Sequence, residues 1–323
     1  MMMMRLLLSF LFVEVLSLIL SDPISLKPNS FPCNIPKYPV EIMLNERYTL
    51  PETPVIFLYS NGSVTSRISD LVINLNPQFK IHSQPPALFH QSSLSFLKEF
   101  HSRTPVILSS SNSYSHGKVS STLGDYLDNI LNIETTNQNS QLLANETYYL
   151  FGHNYEGIFK VLSDLYVDPP CHLCDKAGAK TPGIGGKNSG VSFHFHGNGF
   201  SEVIHGRKRW FLFPREFTSL TSRIFHSNMT VNSWYESIYP FFVNETFRSA
   251  ILSSPSPTEE TSAFSDLLEI RSDLLILKDH LFECTIQPGE ILYFPSFWMH
   301  ATLNLDDYNF FFSDFLDSQL MKE

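Results

Sequence analysis

Charge is scarce in this sequence, and positive charge most of all. Asp, Glu, Lys and Arg make up 17% of the 323 residues, and 22 Lys and Arg face 32 Asp and Glu, for a formal net charge of -10. A nucleic-acid surface needs clustered cations, so this balance excludes that class of partner. No block of like charge forms an acidic tail or a basic arm. No internal repeat runs along the chain, and no apolar stretch beyond the N-terminal one is long enough to span a bilayer. Cysteine is limited to Cys33, Cys171, Cys174 and Cys284. Apolar residues are plentiful at 43%, with 28 Phe, so a sizeable core is available.

The N-terminal run MMMMRLLLSFLFVEVLSLIL reads as a targeting segment. Arg5 supplies a short basic region, Leu6 to Leu20 an apolar one interrupted by Glu14, and Ser21 a cleavage position. The apolar part is shorter than the ~20 residues of a spanning helix. The expectation is a signal peptide over 1–21 and a luminal or secreted mature chain without a transmembrane segment. Sequons at Asn61, Asn145, Asn228 and Asn244 agree with a glycoprotein on that route. An oxidising compartment permits disulfides, and the spacing leaves their connectivity open. Cys171-His172-Leu173-Cys174 follows Pro169-Pro170, so it lacks the strand-to-helix setting of a thioredoxin motif and the second pair of a zinc knuckle. A structural disulfide is its expected use.

Residues 22–323 read as a single domain, mainly β with helices. Helical spacing occupies 94–103 and 121–133, with strand-like TPVIFLYS, TPVILSS and TYYLFG nearby. Pro, Gly and Lys make the stretch from Pro169 to Gly190 a loop by composition. Short aromatic strands then follow, punctuated by Gly and Pro, in the manner of an antiparallel barrel or jelly roll. The expected β core covers about 148–318, with an N-terminal helical wrap and an inserted helical and loop region over 216–280. Within the insert, 253–262 reads as an exposed loop and 264–277 as a helix.

His194 and His196 lie two apart on a predicted strand, so they share a face, with Phe195 opposite. A third imidazole comes from GEILYFPSFWMHATLN, which sets Gly289, Pro295, His300 and Asn304 in order. Cupins pair Gly-x5-Pro-x-Gly-x2-His-x3-Asn with an upstream His-x-His-x3–4-Glu. Here Phe297 replaces the middle Gly, and five residues separate His196 from Glu202. Thr302 and Asn304 share the parity of His300 and line the pocket behind it. If parity runs unbroken from Glu202 to Lys208, both face inward, and Glu202 is an alternative carboxylate ligand. His205 has the opposite parity and faces out.

HGRKRWFLFP followed by PGEILYFPSFWMHATLNL resembles the JmjC family of cupin-like double-stranded β-helix proteins, and in detail a JmjC-only branch with a leader peptide. The resemblance implies the lumen of the endoplasmic reticulum. It also implies Fe(II) and 2-oxoglutarate as cofactors, oxygenase activity as a protein hydroxylase, and a protein as substrate or partner. In that family a His-x-Asp/Glu and a distal His hold iron. His194 and His300 match the two histidines, whereas His196 stands where the carboxylate belongs. Lys208 matches the lysine that grips the far carboxylate of 2-oxoglutarate, and Val191 replaces a threonine that assists it. Three neutral imidazoles leave iron more positive than a carboxylate would, and they also suit zinc, copper or nickel. The competing expectation is therefore an inactive JmjC scaffold that binds partners, with a degenerate or structural metal site.

Overall fold

The computed structural model describes residues 32–44, 49–59, 84–110, 117–130, 148–171, 179–225, 229–254 and 263–316. The expected leader, Asn61, Asn145, Asn228, Cys174 and most of the 253–262 loop lie outside them.

The described strands are β1 (Lys37–Pro39), β2 (Val55–Leu58), β3 (Pro105–Ser110), β4 (Lys118–Thr122), β5 (Tyr148–Phe151), β6 (Lys180–Gly185) and β7 (Gly190–His194). They continue with β8 (Gly199–His205), β9 (Lys208–Phe213), β10 (Phe282–Ile286), β11 (Glu290–Phe294), β12 (Met299–Asn304) and β13 (Asn309–Phe315). One sheet runs β1-β2-β11-β8-β13-β6-β5-β3-β4, and the other β10-β9-β12-β7. Between them lies a core of Val203, Trp210, Leu212, Ile286, Leu292, Phe294, Trp298 and Phe311. This is the expected jelly roll. The wrap, however, is not purely helical: β2 pairs with β11, and β3 and β4 extend the same sheet beyond β5, so the sheet takes in residues before 148.

Alternation explains both outer layers. On the small sheet, Trp210 and Leu212 point into the barrel, while Phe211 and Phe213 point out. The outward face, with Met299, Ala301 and Leu303, is covered by Phe225, Trp234, Phe241 and Leu274 of the 216–280 insert. That insert is helical at Thr218–Phe225, Val231–Ser237, Tyr239–Val243, Glu245–Ser253 and Ala263–Leu277. On the large sheet, Phe310 and Phe312 point out beneath Leu88, Leu97 and Leu162. Those residues come from helices α1 (Pro86–Gln91), α2 (Leu94–His101) and α3 (Ile158–Leu165). Each such buried side chain contributes ~1.5–3 kcal/mol of hydrophobic stabilisation.

Two sequence expectations change. Residues 121–133 give a turn at Leu123–Asp125 and a π-helical Tyr126–Ile130, rather than one continuous α-helix up to the last described residue. KTPGIG, read as loop, forms β6 between β13 and β5. Composition misled there because Gly183 sits opposite Phe311, and a Cβ at Gly183 would come within 2.2 Å of that ring. The glycine makes room for a partner side chain inside the sheet.

The Cys33–Cys284 disulfide ties the N-terminal segment to β10, and Cys171 is also disulfide-bonded. Both suit an oxidising compartment. No helix among the described residues is long and apolar enough to cross a membrane. Asn244 accepts the Phe247 N–H at 3.0 Å and caps the helix Glu245–Ser253.

Candidate metal centre

His194 ends β7 and faces His300 as its Cα partner on β12. His196 lies just past the strand end, where Phe195 turns out to solvent at 46% exposure and the His196 ring turns back toward the other two. Ring centroids are 4.3 Å apart for His194 and His300, 4.7 Å for His196 and His300, and 5.2 Å for His194 and His196. One ligand atom from each lies within 4.8 Å of the others. Among the described residues no Asp, Glu or Cys joins this cluster.

The loops that carry the rings are stitched together. The Phe297 N–H donates to the His196 carbonyl at 2.9 Å, the Asn198 N–H donates to Ser296 Oγ at 3.0 Å, and Thr218 Oγ1 donates to the Phe297 carbonyl at 2.7 Å. Phe297, in place of the cupin glycine, adopts φ +63° and is 45% exposed.

Each imidazole is oriented through its other nitrogen. His194 Nδ1 lies 2.8 Å from the Ser192 carbonyl, His300 Nδ1 2.8 Å from the Trp298 carbonyl and His196 Nδ1 2.7 Å from the Gly197 carbonyl. A carbonyl only accepts, so the proton of a neutral ring sits on Nδ1 and the Nε2 lone pair is left for a ligand. Burial, reinforced by the neighbouring His196, pushes His194 down to about 3. Burial first, then His194 and His196, holds His300 well below the ordinary histidine range, and burial lowers His196. A metal needs its imidazoles neutral, and burial pushes all three toward that form. The donor set therefore fits a divalent cation that accepts nitrogen ligands.

The GRKRW run is now legible residue by residue. Gly206, at φ +80°, makes the turn. Arg207 pairs with Asp306 through two hydrogen bonds of 2.9 and 2.6 Å. Arg209 points out of the barrel to Glu283 and Tyr239, each at 2.5 Å. Lys208 and Trp210 point in. Lys208 is buried, and burial holds its ammonium well below the ordinary lysine range. The β9–β12 register puts His300 opposite Leu212, Thr302 opposite Trp210 and Asn304 opposite Lys208. Trp210 thus stands between the histidine and lysine levels, stacked on Phe294 at 5.5 Å and 5.6 Å from His300. Its Nε1 and Asn304 Oδ1 are buried without hydrogen-bond partners. Thr302 Oγ1 accepts the Val191 N–H at 3.2 Å, and Asn304 Nδ2 donates to Ser189 Oγ at 3.0 Å. Trp210 was visible in the sequence two residues after Lys208, and strand parity alone would have placed it in the barrel.

Glu202 departs from expectation. Its carboxyl group accepts from Gln84 Nε2 at 2.9 Å and bonds the Tyr166 hydroxyl, on the outer side of the large sheet. Parity fails because the β8–β13 register shifts between Phe310 and Phe311, and Gly206 then turns the chain. Glu202 is thus not an alternative ligand of the histidine cluster. His205 faces out as expected, with Nε2 3.0 Å from the Phe89 carbonyl and 3.1 Å from Ser92 Oγ.

A family model described as a cupin-like domain matches residues 109–318. JmjC domain-containing protein 8 of Mus musculus is 39% identical over 211 residues, which cover 65% of this chain and 63% of that protein. The Homo sapiens protein of the same name is also 39% identical over 211 residues, covering 65% of this chain and 64% of its own length. Lysine-specific demethylase JMJ21 of Arabidopsis thaliana is 30% identical over 126 residues, covering 38% of this chain and 11% of that protein. The match with the mammalian proteins thus spans somewhat less than two thirds of their length.

Proposed function

This chain belongs to the cupin-like domain family, with JmjC domain proteins among its relatives, and from that premise we propose that it is an Fe(II)- and 2-oxoglutarate-dependent oxygenase that hydroxylates a protein in the lumen of the endoplasmic reticulum. The observation that carries this reading is the convergence of three imidazoles, each with its Nδ1 on a main-chain carbonyl, on the same sheet as a buried lysine. His194, His196 and His300 would hold the metal, and Lys208 the far carboxylate of 2-oxoglutarate. Bound there, iron with 2-oxoglutarate and O2 supplies oxidation of a C–H bond, coupled to decarboxylation of the keto-acid. The protein's part is positional. The carbonyls of Ser192, Gly197 and Trp298 keep the proton off each ligand nitrogen. Phe294 and Trp210 wall the site and exclude water. Phe195 and Phe297 lie at its rim, their rings 6.3 Å apart, where a polypeptide would approach.

A second reading, a metal-binding scaffold for protein partners, is favoured by His196 standing at the carboxylate position. Anaerobic titration of the full chain with Fe(II) and then 2-oxoglutarate separates the two. The oxygenase should develop a metal-to-ligand charge-transfer band. Lys208→Ala should weaken 2-oxoglutarate binding by ~1.5–3 kcal/mol, roughly ten- to a hundredfold. Iron binding without any response to 2-oxoglutarate would leave only the scaffold.

A further inference from the structure

Lys208 Nζ lies 3.1 Å from the centroid of the Phe311 ring. Both residues are 2% exposed, and among the described residues no hydrogen bond or ion pair engages the ammonium. A buried cation is normally paired with a carboxylate; here the counter-group is a π face. The ring has a seat of its own. It stacks on Phe151 with centroids 5.7 Å apart, and it lies over Gly183, where any Cβ would strike it. Its neighbours on β13, Phe310 and Phe312, face the opposite layer. Phe311 is therefore the residue of that strand aimed at the lysine.

The side of Nζ that Phe311 covers is closed to a carboxylate while the ring stays there. Two buried polar atoms without partners, Trp210 Nε1 and Asn304 Oδ1, belong to the two strands that carry Lys208 and His300, with Asn304 opposite Lys208. We infer that Phe311 gates the anion seat of Lys208: the ring occupies the place of the ligand's distal carboxylate, and 2-oxoglutarate binds only when the ring gives up its contact with the ammonium. The gate rests on the oxygenase reading for the identity of the anion. A binding-competent state that is only fractionally populated lowers apparent affinity by that fraction. A desolvated cation–π contact is strong enough to set the fraction at roughly one tenth or less.

The test is calorimetric titration of 2-oxoglutarate into the full chain, metal-free and loaded with Zn(II), so that no turnover enters the readout. Phe311→Ala and Phe311→Leu should each bind roughly tenfold or more tightly than wild type. Leucine keeps apolar bulk against Gly183 and lacks the π face, so it carries the test if the alanine variant does not fold. Phe312→Leu, on the same strand and the opposite face, should bind as wild type does. Wild type binding as tightly as Phe311→Leu would overturn the gate and leave the oxygenase reading standing. Equal tightening by Phe312→Leu would also overturn it, since the effect would then be general loosening. No binding by wild type or by either Phe311 variant would remove the gate and the oxygenase reading together.

Discussion

At the histidine end of the barrel each imidazole keeps one nitrogen on a main-chain carbonyl and presents the other to its neighbours; at the lysine end the Lys208 ammonium rests on a phenyl ring. Both ends belong to the small sheet, the histidines on and beside β7 and β12 and the lysine on β9 between β10 and β12, yet they meet the cost of burial differently. The histidines lose little, because a neutral ring with its N–H satisfied has only an acceptor left over. The lysine loses more: burial pushes it toward the neutral amine, and as an ammonium it has only π density for a countercharge. The first site is ready for a ligand without rearrangement. The second must exchange one partner for another before an anion can bind. Metal uptake is therefore expected to need no movement of Lys208, although its charge is felt at His194 and His300, while anion uptake needs the ring to move.

The largest effect expected is at the prepared end. His300→Ala and His194→Ala should each lower divalent metal affinity by more than roughly 100-fold, since two imidazoles remain and losing even a supporting group around a metal costs ~10–100-fold. His205→Ala should leave metal content unchanged, because its Nε2 is engaged with Phe89 and Ser92 on the outer face. Metal analysis after dialysis against buffer reads the result. A His300→Ala protein that keeps a full complement of metal would break the comparison at its stronger side.

A smaller effect sharpens the contrast from outside the barrel. Glu202 is a third buried ionisable group, and it meets burial by staying protonated: its carboxyl is pushed up to about 8, first by desolvation, with the Gln84 and Tyr166 bonds pulling part of the way back. The sign follows from proton counts. Above the ordinary glutamate range the unfolded chain has released this proton, while the folded chain holds it until about 8. The folded state binds more protons in that window, so this group's contribution to stability is full below the ordinary range and falls as pH rises to about 8. Glu202→Gln removes this titrating group. The stability difference between variant and wild type should be small at pH near 5 and should favour the variant by on the order of 1–3 kcal/mol near pH 8. Taking the difference cancels Asp314, His194 and Lys208, which also titrate out of place. Urea melts at several pH values measure it, and a difference that does not change with pH would show that Glu202 is ionised in the folded protein.

The jelly roll and the histidine cluster were legible because both depend on local rules. Alternation in RWFLFP and WMHATLNL gives the two faces of the small sheet, and two motif halves in order bring His194, His196 and His300 together. What stayed hidden depends on contacts distant in sequence. β6 looked like a loop because the justification for Gly183 is Phe311, more than a hundred residues later. Glu202 was assigned the wrong face because a register shift opposite Phe310 and Phe311 interrupts the alternation that the reading relied on. The ring over Lys208 has no sequence signal at all, since Phe311 is one of three consecutive phenylalanines and only pairing decides which faces in.

The smallest effect concerns the rim of the histidine end. Phe297 stands where cupins carry glycine, and it adopts φ +63°, a left-handed backbone that costs a residue with a Cβ roughly 1–2 kcal/mol. Packing repays little of this, because the ring is 45% exposed and its nearest aromatic neighbour, Phe195, is 6.3 Å away between centroids. The conformation is held instead by the Phe297 N–H on the His196 carbonyl and by Thr218 on the Phe297 carbonyl, both of which a glycine would keep. Phe297→Gly should therefore raise stability, although glycine's greater freedom in the unfolded chain offsets part of the gain. A net increase of about 0.5–1 kcal/mol is expected, visible as a rise of a few degrees or less in melting midpoint. Metal affinity should stay within a few-fold of wild type, because the His196 carbonyl contact survives. A destabilised variant would mean that the Phe297 ring contributes more packing than its 45% exposure implies.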